Sequence, residues 1–212
     1  MMATVNKMLP DALFPSQRKA FNKAIEERNN WYQLICRVAD LDPDVATGLL
    51  KCFLTEANLV AWDKQEKSRE KYQCNIPWAV LLDPTSACNL HCTGCWAAEY
   101  GHKLNLSYDD IDSIINQANE LGTHVFIYTG GEPLVRKVDL IRLCEAHPDS
   151  AFLCFTNATL IDEEFCQDLL RVRNFIPAIS LEGFEEANDG CRGQGHDAQK
   201  GGAVSRESAE IG

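Results

Sequence analysis

Apolar and polar positions change rhythm once along this chain, near Pro77. Before that point, residues 12–72 repeat their apolar side chains at helical spacing. Ser16 is a candidate N-cap for a first helix through residues 17–25, and residues 31–36 carry a second helical pattern. Asp42-Pro43-Asp44 reads as the start of a third, with Val45, Leu49, Leu50 and Phe53 on its inner face. A charged run over residues 63–71 closes the region. Cys36 and Cys52 fall within these helices without ligand-type spacing and read as core residues.

Beyond Pro77 the pattern becomes short apolar runs alternating with amphipathic helices. Strands are predicted at 78–83, 124–129, 151–156 and 175–181, and helices near 108–121, 137–146 and 162–171. Residues 78–82 form a continuous apolar run ending in Asp83-Pro84, the signature of a buried parallel strand. Ser107 with Asp109 and Asp110 opens the first helix and Leu121-Gly122 closes it, while Asp162, Glu163 and Glu164 open the third. The expectation is an α/β fold of about four parallel strands, in a barrel or an open sheet, preceded by a helical N-terminal segment. Domains are expected at 1–74 (helical region), 75–192 (α/β core) and 193–212. That last stretch has five glycines and no apolar run, and reads as disordered or non-native sequence. Four strands without a fifth leave an unfinished sheet edge, so a truncated or frameshifted product is expected.

Composition narrows the function. A formal net charge of -11 argues against a nucleic-acid surface, which needs clustered Lys and Arg. The short basic stretches, Arg136-Lys137 and residues 171–173, read as solvated helix faces or helix-end charges. No apolar run reaches the roughly 18 residues that span a bilayer, and residues 1–10 lack a secretory h-region, so no membrane association and a cytoplasmic location are expected. Ten cysteines in such a chain read as metal ligands or small buried hydrophobes rather than disulfides.

Cys88, Cys92 and Cys95 form a C-x3-C-x2-C loop immediately after the first strand. Three thiolates on one short loop can cap three irons of a cubane cluster, leaving the fourth iron open to a ligand. Cys74, the nearest other cysteine, lies at the far end of the strand. Zinc is the competing reading, because Cys92 and Cys95 make one C-x2-C pair and Cys88, His91 or His102 can complete a four-ligand set. A second feature stands at the end of the second strand, Tyr128-Thr129-Gly130-Gly131-Glu132-Pro133. Its glycines allow backbone to approach a ligand closely, and it otherwise reads as a plain strand-to-helix turn.

Together, one βα unit apart, the cysteine loop and the GGEP turn resemble the two motifs of the radical SAM superfamily; the likeness covers about residues 75–192. It implies a partial radical-SAM-type (β/α) barrel and a 4Fe-4S cluster on Cys88, Cys92 and Cys95. It further implies S-adenosylmethionine held by Gly130, Gly131, Glu132 and Pro133, with Asn157, Ser180 and Glu182 as further cofactor contacts. Reductive cleavage to methionine and a 5′-deoxyadenosyl radical would follow, with electrons from a donor such as a flavodoxin or ferredoxin and a substrate that stays unknown. The chain departs from the family pattern at Ala158, where a TNG motif has glycine, and at Gly94, where an aromatic residue often precedes the last cysteine. Trp96 is a candidate cover for the cluster or a core residue. A non-catalytic cluster- or zinc-binding remnant is the alternative.

Overall fold

The computed structural model describes residues 15–101 and 103–192. His102 and the 193–212 tail, like residues 1–14, lie outside the described residues. Packing divides the chain into two compact units, one ending at Ala46 and one beginning at Thr47.

In the first unit, α1 (Pro15–Glu27) packs against α2 (Asn30–Ala39). Asn29 caps α2, its Oδ1 accepting from the backbone N–H of Trp31 at 3.1 Å and of Tyr32 at 3.4 Å. Ser16 is not an N-cap, because Pro15 is already helical. Asp42 does start α3 (Pro43–Leu49), its Oδ1 accepting from Asp44 N at 2.9 Å. Half-buried Cys36 sits on α2.

In the second unit, residues Leu50–Val60 wind as a π-helix that runs into α4 (Ala61–Tyr72). The wider winding turns Cys52 and Ala57 inward and leaves Leu50 exposed, which corrects the inner face predicted for this segment. Cys52 and Ala57 pack on Val125 and Ala151. The 50–60 segment therefore covers the start of the sheet.

That sheet has four parallel strands in sequence order: β1 (Ala79–Thr85), β2 (Val125–Gly130), β3 (Ala151–Thr156) and β4 (Phe175–Ile179). Helices α5 (Tyr108–Leu121), α6 (Lys137–Ala146) and α7 (Glu163–Val172) make the crossovers, and α8 (Glu185–Arg192) follows β4. The caps read from sequence for α5 and α7 are present. Ser107 and Asp110 form a capping box, Gly122 closes α5 with φ +94°, and Asp162 caps α7.

The main core lies between the sheet and these helices, where Phe126, Tyr128 and Phe152 stack above Ile111, Ile115, Leu140 and Leu143. Strand periodicity sends Ile127, Leu153 and Ile176, in register with Leu81, to the opposite face. No described helix is long and apolar enough to cross a membrane.

Candidate functional site

The described residues of the cysteine loop and the 130–133 turn, with Asn157 and Ser180, follow the C-terminal ends of the strands, where parallel α/β folds bind their ligands. The cysteine loop leaves β1 at Thr85 and returns at once. Ser86 N–H donates to Leu104 O at 2.8 Å, and Leu106 N–H donates to Pro84 O at 3.2 Å. Residues 87–103 are thus an excursion with a closed root.

The 130–133 turn is bonded to that root. Gly131 N–H donates to Thr85 O at 3.0 Å and Glu132 N–H donates to Ala87 O at 2.8 Å, one residue before Cys88. These bonds explain both glycines. Gly130 has φ +101°, and a Cβ there would stand 2.8 Å from Thr85 O. At Gly131 a Cβ would overlap the carbonyl of Ala87. The close approach is to the chain's own cysteine loop, not only to a ligand.

Glu132 is buried at 1% exposure and acts as a bracket. Its Oε1 accepts from Leu134 N at 3.0 Å and from the Thr156 hydroxyl at 2.7 Å. Its Oε2 accepts from Asn157 N at 2.8 Å. The carboxylate therefore ties the turn after β2 to the end of β3. Pro133 opens a 3-10 turn, Pro133–Arg136, that Glu132 caps.

Asn157 extends the chain of contacts to the cysteine loop. Its Nδ2 donates to Asn89 Oδ1 at 3.0 Å, and Asn89 Nδ2 donates to Thr159 Oγ1 at 2.7 Å. The next residue, Ala158, is buried with φ +65°, a left-handed conformation that favours glycine. This is the position at which the resembled family pattern has glycine.

Ser180 lies past β4, its N–H donating to Thr156 O at 2.9 Å, while Glu182 is exposed with its N–H on Asn188 Oδ1 at 3.2 Å. Arg192, at the end of α8, donates Nη1 to Asn157 O at 2.9 Å and Nη2 to Ser180 O. It clamps the ends of β3 and β4. Sequence reading missed Arg192 and Asn89, because neither carries a local signal beyond being polar near a motif.

Of the two readings given for Arg136, the helix-end charge holds, since it ends the 3-10 turn. It is mostly buried, not a solvated face: Nη1 donates to Pro84 O at 2.9 Å and to Leu106 O, while Nη2 pairs with Asp139 at 2.7 Å. It holds both ends of the loop root. Lys137 likewise pairs with Asp162 and bonds Leu160 O.

Cys88, Cys92 and Cys95 are free and half-buried. Burial is the main cause that pushes the Cys88 and Cys92 thiols up, and the neighbouring thiols of the triad add to it. Among the described residues no three His, Cys, Asp or Glu side chains form a ready metal cage. Gly94, at φ +73° with nothing within 4 Å of where a Cβ would stand, gives the 92–95 turn open space. Three thiols are a soft donor set, suited to iron–sulfur or zinc ligation. Trp96 is exposed and meets Tyr100 edge to face, ring centroids 5.9 Å apart. It is not a core residue.

Comparison with known proteins agrees with this layout. The family model of the radical SAM superfamily matches residues 82–201, and the chain belongs to that superfamily. An uncharacterised protein of Archaeoglobus fulgidus is 34% identical over 62% of this chain and 32% of its own length. The Fe-coproporphyrin III synthase of Methanosarcina barkeri is 33% identical over 54% of this chain and 29% of its own. The chain thus spans about a third of the length of the curated relatives it matches. Streptococcus suis SuiB, solved with its precursor peptide SuiA, superposes with a TM-score of 0.55 at 24% identity. That match covers 71% of this chain and 34% of the other, and it shares the fold. The cofactors of the superfamily are a 4Fe-4S cluster and S-adenosylmethionine.

Proposed function

We propose that Cys88, Cys92 and Cys95 ligate a 4Fe-4S cluster beside an S-adenosylmethionine site at residues 130–133, making this chain the cofactor-binding part of a radical SAM enzyme. The observation that carries the reading is the pair of backbone bonds, Gly131 to Thr85 and Glu132 to Ala87, which join the two motifs. When bound, the cofactors supply reductive cleavage to methionine and a 5′-deoxyadenosyl radical that takes hydrogen from a substrate.

The chain's own residues bind and position. The three cysteines would lose their protons to become ligands, which burial opposes at Cys88 and Cys92. The N–H groups of Gly131 and Glu132 are engaged with the cysteine loop, so what the turn presents to a ligand is acceptors, matched to a cationic amino group. Glu132 sets the turn's place relative to β3 through its buried carboxylate, and Asn157 sets the loop's place through Asn89. Ser180 and Glu182 stand at the edge where a ribose would be met. The one-electron input calls for a donor such as a flavodoxin or ferredoxin. Relatives with this similarity carry different activities by name, among them heme synthase, GTP 3',8-cyclase and PqqA peptide cyclase, so no substrate follows from them.

The test is anaerobic reconstitution with iron and sulfide, followed by metal analysis and incubation with S-adenosylmethionine and dithionite. A cluster's iron and sulfide per chain, lost on joint substitution of the three cysteines by alanine, and formation of 5′-deoxyadenosine are expected. Retained zinc in place of iron would establish the non-catalytic metal-binding alternative. Iron loading that survives the triple substitution would overturn the ligand set.

A further inference from the structure

Cys191 stands far from the cysteine motif in sequence and carries no ligand-type spacing. In the structure, the end of α8 lies against the cysteine loop. Thr93 N–H donates to Cys191 O at 2.8 Å, and Cys191 Sγ lies 4.0 Å from Thr93 O. Cys92 is the residue before Thr93. Arg192 is next in the chain after Cys191. Arg192 is in turn clamped to Asn157 and Ser180, which fixes the helix end.

A disulfide needs Cα atoms within about 7 Å of each other. A backbone hydrogen bond one residue from Cys92 holds the two segments at that order of separation. Both thiols are half-buried and free, so a small oxidant can reach them. Among the other cysteines outside the motif, Cys36, Cys74 and Cys166 are also accessible, whereas three are buried. Cys144 and Cys154 are buried in the main core, with thiols pushed up by desolvation, and Cys52 is buried beneath the sheet.

We propose that Cys92 and Cys191 form a reversible disulfide in the cluster-free protein, a redox latch that withdraws one cluster ligand until the bond is reduced. The oxidant is a low-molecular-weight disulfide. One protein thiolate attacks it, forming a mixed disulfide and releasing one thiol. The second protein thiolate then displaces the other half as a second thiol. The protein loses two hydrogens and two electrons, and the oxidant's S–S bond is reduced in balance. The consequence for loading rests on the ligand reading above, whereas the cross-link itself does not.

The experiment uses the full chain, freed of metal, reduced, and then treated anaerobically with oxidised glutathione. Peptide mapping after alkylation should show the peptides of Cys92 and Cys191 joined, with both cysteines alkylated once dithiothreitol is added. Iron uptake should fall several-fold in the oxidised protein and recover on reduction. In Cys191→Ser, untreated protein should load iron like the wild type, and the same oxidant should depress loading much less. The latch is overturned if Cys191 stays alkylatable while Cys92 pairs with Cys88 or Cys95. It is also overturned if Cys191→Ser loads poorly before oxidation, which would make Cys191 a ligand. Failure of the untreated wild type to take up iron would instead refute the cluster reading, leaving the mapped cross-link to stand on its own.

Discussion

Glu132 accepts the backbone N–H of Asn157 at 2.8 Å from a carboxylate that is almost completely buried. One side chain thereby joins the turn after β2 to the end of β3, and Asn157 passes the connection to Asn89 inside the cysteine loop. The GGEP turn is a brace for the cysteine loop.

Replacing Glu132 by Gln tests the brace. The carboxylate accepts three hydrogen bonds, and an amide puts a donor against at least one N–H. Loss of a buried charge-assisted bond with a donor left unpaired amounts to about 2–4 kcal/mol. Urea unfolding of cluster-free Glu132→Gln should show a deficit of that order. A wild-type midpoint would mean that these bonds contribute nothing to the fold.

Two glycine substitutions separate packing from backbone strain. Gly131→Ala drives a methyl into the Ala87 carbonyl and should destabilise by about 1–3 kcal/mol or more while cutting iron loading. Gly94→Ala meets nothing within 4 Å, so only its left-handed backbone is penalised, by about 1–2 kcal/mol. Thermal melts and iron content of the two variants decide. Equal loss of loading in both would show that loop strain, not the contact with Ala87, controls the site.

Ala158 offers the converse experiment. Relief of its left-handed backbone by glycine is offset by lost methyl burial and greater chain entropy, so Ala158→Gly should stay within about 1 kcal/mol of wild type. Ala158→Val adds a β-branched side chain to the same conformation and should lose at least about 2 kcal/mol. Matching melting temperatures for the two variants would show that φ at this position carries no energetic weight.

The pH dependence of the cluster-free protein follows from its thiols. Burial raises the thiols of Cys52, Cys88, Cys92, Cys144, Cys154 and Cys166 above their ordinary value of 9.0. A raised folded value favours the protonated fold, so this stability is fully present below the unfolded value and is lost as pH rises through the folded values. His124 has the opposite sign. Burial chiefly lowers it from 6.5, so its contribution is present above that value and lost as pH falls through the folded value. Urea midpoints should therefore decline on both sides of a plateau between about pH 7 and about pH 8.5. A midpoint that holds steady to about pH 10 would contradict the burial of these thiols.

Much of the site was legible because its signals are local. The C-x3-C-x2-C spacing, the paired glycines before Glu132 and the caps at Ser107 and Asp162 each sit within a few residues of one another. Arg136 and Arg192 were not legible. Each acts on carbonyls brought near by strand pairing, 52 residues away for Arg136 to Pro84 and 35 for Arg192 to Asn157. Leu50 was misassigned because a helical wheel presumes α-winding, and the chain winds as a π-helix there.

By itself the sequence determined the order of strands and helices, since hydrophobic period and end caps are properties of neighbouring residues. It also determined which loop carries the three cysteines and which turn faces them from the next strand. Only the tertiary structure decided what those residues do for each other. Glu132 became a buried bracket and the two glycines became clearance for Ala87 and Thr85. Cys191 came to rest beside Cys92. Parallel pairing gathers the strand ends at one edge, and hydrogen bonds between residues distant in sequence then choose among the roles that composition leaves open.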